Sequence, residues 1–135
     1  MSFALNLFRQ VASDEDGNFF ISSASILSAM ALAAAGARGN TENELNTVLN
    51  LDGSYEEKHA QLGSVCQLLQ TDYLSLANRI FVNDQYDLEN DYAKFVRDVY
   101  NVKVSGLDVS EPVSEAARVN LWVEKQTNES NTILV

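Results

Sequence analysis

Residues 17–41, GNFFISSASILSAMALAAAGARGNT, constrain the fold more than any other part of the chain. Phe19, Phe20 and Ile21 form a short apolar run that predicts a buried strand, because a strand apolar on both faces needs cover on both. Small hydroxyl residues follow, and then a helix of Ala, Leu, Ile and Met with no charge before Arg38. A helix apolar all round belongs in the middle of a core. Ser22 and Ser23 offer hydroxyls to cap it, and Gly36 and Gly39 supply the backbone freedom to leave it near Ala35. The centre of a large core is thus encoded early in a chain of 135 residues.

The flanking segments alternate between two periods. Phe3, Ala4, Leu7, Phe8 and Val11 share one helix face, which ends in the turn-forming run 13–17. Thr41-x-x-Glu44 is a capping box, predicting a short helix with Leu45, Val48 and Leu49 inward. Ser54-x-x-Glu57 is a second, opening a helix that buries Tyr55, Leu62, Val65 or Cys66, and Leu69. Residues 73–82 alternate as a long strand, and residues 102–109 alternate again. Between them, residues 88–100 carry Tyr92, Phe95, Val96 and Val99 on one helix side. Pro112 sits in the first turn of a last helix, where its missing N–H costs little. Val113, Ala116, Ala117, Asn120 and Val123 line that helix, with Trp122 beside them.

The inventory is about six helices and three strands, with no hairpin turn, repeat, low-complexity segment or domain linker. The expectation is one domain over 1–135, with no internal boundary. Strands without neighbours leave backbone groups unpaired, so partners for the sheet are expected from elsewhere. The apolar ending 132–135, with no polar tail, points the same way.

Several function classes are disfavoured. Net charge is −10 with nine basic residues, so no basic stripe exists to hold nucleic acid or an anionic membrane. No run of 18 apolar residues predicts a membrane span. The start lacks a basic region followed by a long apolar one, and Cys66 is the only cysteine. These features favour a cytoplasmic setting, with an extracellular one as the alternative if a signal had been removed. Asn128-Glu129-Ser130 is an acceptor sequon that matters only in a secreted protein.

No catalytic, cofactor-binding or metal-binding residues are expected, and the chain reads as no enzyme. His59 and Cys66 lie about 10 Å apart along a helix axis, too far for a thiol–imidazole pair. They read as a surface histidine and a core thiol. No His/Cys cluster could hold zinc. Asp84, Asp87, Glu89 and Asp91 lack calcium-loop spacing and read as solvated surface. Only Lys58 and His59 are basic or near-basic on the helix from Ser54, too few for a heparin-type site.

The motifs together resemble the N-terminal segment of the serpin family. Residues 17–41 are similar to its Asn, three apolar residues, Ser-Pro-x-Ser-Ile, Ala/Met-rich helix and Gly-x-x-Gly-x-Thr. Residues 41–45, TENEL, look like its next helix start. Leu76-Ala77-Asn78-Arg79-Ile80-Phe81 looks like its ANR-aromatic strand, and residues 92–100 like the helix after that strand. Residues 116–127, AARVNLWVEKQT, are similar to its IN-x-WV-x-x-x-T helix. The branch most resembled is the intracellular, ovalbumin type. Ser23 stands where the family has Pro, which should loosen entry to the apolar helix. Glu129-Ser130-Asn131 replaces its Gly-Lys-Ile.

The resemblance implies an α+β serpin fold, N-terminal portion only. It implies a part of a serine or cysteine protease inhibitor of the loop-insertion type, in which a cleaved loop enters the large sheet as a new strand. The reactive loop would be absent from this chain. Its partners would be the remainder of the same serpin and the target protease. The alternative is a non-inhibitory serpin-fold protein serving storage, carriage or scaffolding. Asn18, Ser22, Ser25, Asn78 and Asn120 match the shutter, where the sheet opens. Small hydroxyls and amides can exchange hydrogen-bond partners there. From the residues alone, Ser22 and Ser25 read first as helix caps and Asn18 as a turn former, and the resemblance is what favours the shutter.

Overall fold

The computed structural model describes residues 2–68 and 78–127. The chain divides into two compact units, residues 1–67 and 68–135, each with its own packing. Residues 73–77 of the long expected strand, Leu69, the sequon at Asn128 and the apolar ending 132–135 lie outside the described residues.

The first unit is helical: α1 (Phe3–Asp14), α2 (Ser23–Gly36), α3 (Gly39–Leu49) and α4 (Tyr55–Leu68). Its centre is the C-terminal half of α2, where Ala31, Leu32, Ala34 and Ala35 are buried, as the charge-free composition demands. Small alanines let neighbouring backbones approach, and α1 and α3 both pack on α2. Phe8 of α1 meets Phe19, with ring centres 5.6 Å apart.

Three expectations for this unit are corrected. Phe19–Ile21 is not a strand, and Phe20 is 95% exposed. An apolar run becomes a strand only where another backbone pairs with it, and among the described residues none does. Helix α3 starts at Gly39, two residues before the expected Thr41 box. Gly39 adopts φ +64°, a left-handed turn into a helix start that carries no side-chain cap hydrogen bond. Val48, expected inward, is 63% exposed, and Leu49 alone fills the interior at that end.

The box at the start of α4 forms as expected. Ser54 Oγ accepts from the Glu57 backbone N–H at 3.3 Å, and Glu57 Oε2 accepts from the Ser54 N–H at 3.1 Å. These donors hold the Glu57 carboxyl below its ordinary pKa, the Ser54 backbone N–H first and its hydroxyl second.

The second unit contains β1 (Arg79–Asn83), α5 (Asn90–Tyr100), β2 (Lys103–Leu107) and α6 (Pro112–Gln126). The strands pair in parallel, with Arg79 opposite Lys103 and Phe81 opposite Ser105. A parallel pair cannot be closed by a tight turn, so α5 forms the crossover. This explains why no hairpin signal separates them. Among the described residues each strand has one neighbour. Val96, Tyr100 and Val102 are buried where α5 meets β2, and α5 ends on Asn101 in the left-handed region at φ +54°. On α6, Ala116, Val119, Asn120, Trp122 and Val123 are half-buried. Val113 and Ala117 do not join that face as expected, since Val113 is 84% exposed.

Candidate functional site

The five residues expected at the shutter fall in two groups. In the first unit, Asn18 is exposed in the segment before α2. Ser22 is the N-cap of α2, and its Oγ accepts from the Ser25 backbone N–H at 3.3 Å and lies 2.9 Å from Ser25 Oγ. The structure thus brings Ser22 and Ser25 together at the helix entrance. Ser23, in place of the family's proline, is the first helical residue of this capped start. In the second unit, Asn78 is half-buried just before β1, and Asn120 is half-buried on α6.

The ladder beside Asn78 is organised by Arg79. Its Nε donates to Ser105 Oγ at 2.9 Å, crossing from β1 to β2. Its guanidinium lies 5.6 Å from the Phe81 ring centre and 5.5 Å from that of Trp122. Phe81 and Trp122 meet edge to face at 5.9 Å. Residues 79 and 81 share one strand face by alternation, so α6 covers that face through Trp122. Arg118 of α6 donates to the Gly106 carbonyl and pairs with Glu115, adding a second tie from α6 to β2.

A polar cluster in the first unit was not expected. His59 is fully buried and Lys58 is 7% exposed. The reading of His59 as a surface residue is therefore corrected. The face of α4 that turns inward carries Tyr55, Lys58, His59, Leu62, Gly63 and Cys66. Its spacing of three and four was present in the sequence, but polar residues at interior positions disguised it. Tyr55 Oη donates to the Ala35 carbonyl at 3.0 Å, and Arg38 Nη1 donates to the same carbonyl at 3.1 Å. These donors satisfy the C-terminal end of α2. The Tyr55 and His59 rings stand 4.7 Å apart. Ser28 Oγ donates to Ala24 O at 2.8 Å and contacts Cys66 Sγ at 3.0 Å, so Cys66 is the core thiol expected.

Burial drives the His59 pKa down to about 4, reinforced by the positive charge of Lys58 and opposed by Glu42. Burial also raises the Tyr55 hydroxyl. Among the described residues, no group of three or more His, Cys, Asp or Glu side chains could hold a metal. Nor is any helix among them long and apolar enough to cross a membrane.

A family model described as Serpin (serine protease inhibitor) matches residues 1–134. Leukocyte elastase inhibitor of Sus scrofa is 33% identical over 131 residues, covering 93% of this chain and 34% of that protein. Serpin B7 of Homo sapiens is 29% identical over 141 residues, covering 93% of this chain and 37% of that protein. The crystal structure of Serpin48, a highly specific serpin in the insect Tenebrio molitor, matches with a TM-score of 0.87. It is 30% identical and covers 98% of this chain and 37% of that one.

The chain belongs to the serpin family. The two curated relatives represent the ovalbumin-type branch that the sequence resembles. The α+β serpin fold, N-terminal portion, is the fold of this chain. It spans about a third of the length of the curated relatives it matches.

Proposed function

We propose that these residues are the N-terminal part of one serpin domain that inhibits a serine or cysteine protease by loop insertion. The chain contributes core helices and the shutter residues Asn18, Ser22, Ser25, Asn78 and Asn120. It acts as an inhibitor and not as an enzyme. The reactive loop lies outside residues 1–135, on the remainder of the protein, and engages the target protease. No nucleic acid or membrane takes part. The setting is cytoplasmic, in line with the ovalbumin-type relatives.

The observation that supports this reading is agreement at two levels. The family model covers nearly the whole chain, and the backbone matches a serpin at a TM-score of 0.87. The polar character of Ser22, Ser25, Asn78 and Asn120 suits a region that must satisfy its hydrogen bonds both before and after a strand enters.

The test is to incubate the full-length protein with a panel of serine and cysteine proteases and run denaturing gels. Inhibition by this route leaves a covalent adduct that survives denaturant. Cleavage of the serpin with no adduct for any protease would instead favour storage, carriage or scaffolding. Residues 1–135 alone should form no adduct, and an adduct with them would overturn the assignment of the loop.

A further inference from the structure

Residues 50–54 join α3 to α4 and contain the dipeptide Asp52-Gly53. Both of its residues are exposed. The chain is anchored on either side of them. The Leu51 N–H donates to the Asn46 carbonyl at 2.9 Å, closing α3. The Ser54 N–H donates to Glu57 Oε2 at 3.1 Å, opening α4. Between these anchors, and among the described residues, the N–H groups of Asp52 and Gly53 have no hydrogen-bond partner.

An aspartate followed by glycine is open to attack by its own backbone. The amide nitrogen of the following residue reaches the side-chain Cγ through a five-membered ring. A Cβ on that residue would crowd the approach, and glycine has none. An N–H in a helix or sheet is tied to its acceptor, and that of Gly53 is not. Gly53 is also hard to exchange for a slower successor. Its φ is +99°, in the region that favours glycine. A Cβ there would stand 3.3 Å from Glu57 Oε2, the oxygen that accepts from Ser54. The entry to α4 thus keeps the reactive dipeptide in place. Asp16-Gly17 is the same dipeptide, but Gly17 has neither a positive φ nor a neighbour within 4 Å, so nothing in the backbone there demands glycine.

We propose that Asp52 is a site of spontaneous isomerisation to isoaspartate, and that the change loosens the start of α4. In the first step the Gly53 nitrogen bonds to Cγ of the protonated Asp52 carboxyl. The nitrogen gives up its proton, the Cγ–OH bond breaks, and one water leaves. The product is a cyclic imide. Water then adds back at either carbonyl. Opening at the Cγ–N bond restores aspartate. Opening between the main-chain carbonyl carbon of Asp52 and the same nitrogen leaves the chain running through Cβ and Cγ, with a free α-carboxylate. No oxidant or cofactor is consumed. The extra backbone carbon has to be fitted between Leu51 and Ser54, which pulls on the Asn46 tie and the Ser54–Glu57 box together. This chemistry is independent of protease inhibition.

The test ages the full-length protein for several weeks at about pH 6, where a small fraction of ordinary side-chain carboxyls is protonated. The protein is then digested and its peptides are mapped by mass spectrometry. Isoaspartate is read from backbone fragmentation and from methyl transfer by a protein-isoaspartate methyltransferase. The peptide holding residues 52–53 should appear partly as an isomer of equal mass, with a minor species one water lighter. Asp52→Glu keeps the charge but needs a six-membered ring, and should lower the isomer in that peptide at least about tenfold. Asp16→Glu should leave it unchanged. Aged wild-type protein should melt below fresh protein, and Asp52→Glu should lose distinctly less on ageing. If Asp52→Glu does not fold, the wild-type map and Asp16→Glu decide. Isoaspartate absent from residue 52 or confined to Asp16, or an isomer as abundant in folded Asp52→Glu, would overturn the site. An equal fall in melting temperature for aged wild type and aged Asp52→Glu would overturn the effect on α4.

Discussion

Arg79 sits 5.5 Å from the centre of the Trp122 ring while its Nε holds Ser105 across the strand pair. One side chain therefore joins β1, β2 and α6. A planar guanidinium can stack and donate sideways at once, whereas a lysine ammonium cannot. Arg79→Lys should lower stability by about 1 kcal/mol, the scale of a cation–π contact. Trp122 is the only tryptophan of residues 1–135, and its emission responds to this contact. A shift to longer wavelength in the folded variant is expected, and unchanged emission would contradict the stacking role.

His59 should make stability depend on pH. In the unfolded chain it titrates near 6.5, and in the folded protein at about 4. Between these values the unfolded state binds a proton that the native state does not. Its contribution is therefore fully present above pH 6.5 and declines as pH falls toward 4, by up to about 3 kcal/mol. Below pH 4 both states are protonated and no further loss follows. Urea unfolding at pH 7 and pH 5 should show this loss in the full-length protein. His59→Gln should show a distinctly flatter dependence, and an equal slope in both would rule out His59 as the source.

Two glycines should respond in opposite ways to alanine. Gly39 has φ +64°, where a Cβ is strained even though nothing lies within 4 Å of it. Gly39→Ala should cost about 1 kcal/mol. Gly17 has equal space around it and no positive φ, so Gly17→Ala should be neutral or stabilise by about 0.5 kcal/mol. Thermal melts of the two variants check the pair, and equal melting temperatures would disprove the strain.

The helices were legible because their apolar periods are strong. The Ser54–Glu57 box was legible because both of its bonds run within one turn. The strand at Phe19–Ile21 was not, because strand pairing depends on a second backbone that composition cannot reveal. The buried face of α4 was misread because Lys58 and His59 stand where a period search seeks apolar residues. Of the residues proposed for the shutter, Ser22 and Ser25 meet at a helix cap by local geometry, which sequence spacing anticipates. Asn78 and Asn120 lie far apart in sequence, and no local rule links them.

The parallel register of β1 and β2 also bears on the order of assembly. Arg79–Asn83 cannot find its mate until the crossover has been made, yet that mate is the very next strand along the chain. The entropy of closing that crossover has to be met before any bond of the ladder forms, which makes a parallel pair slower to assemble than a hairpin. During synthesis the ladder can zip up once Leu107 has left the ribosome. Trp122 follows as a cover, with the remaining two-thirds of a typical relative still to be translated.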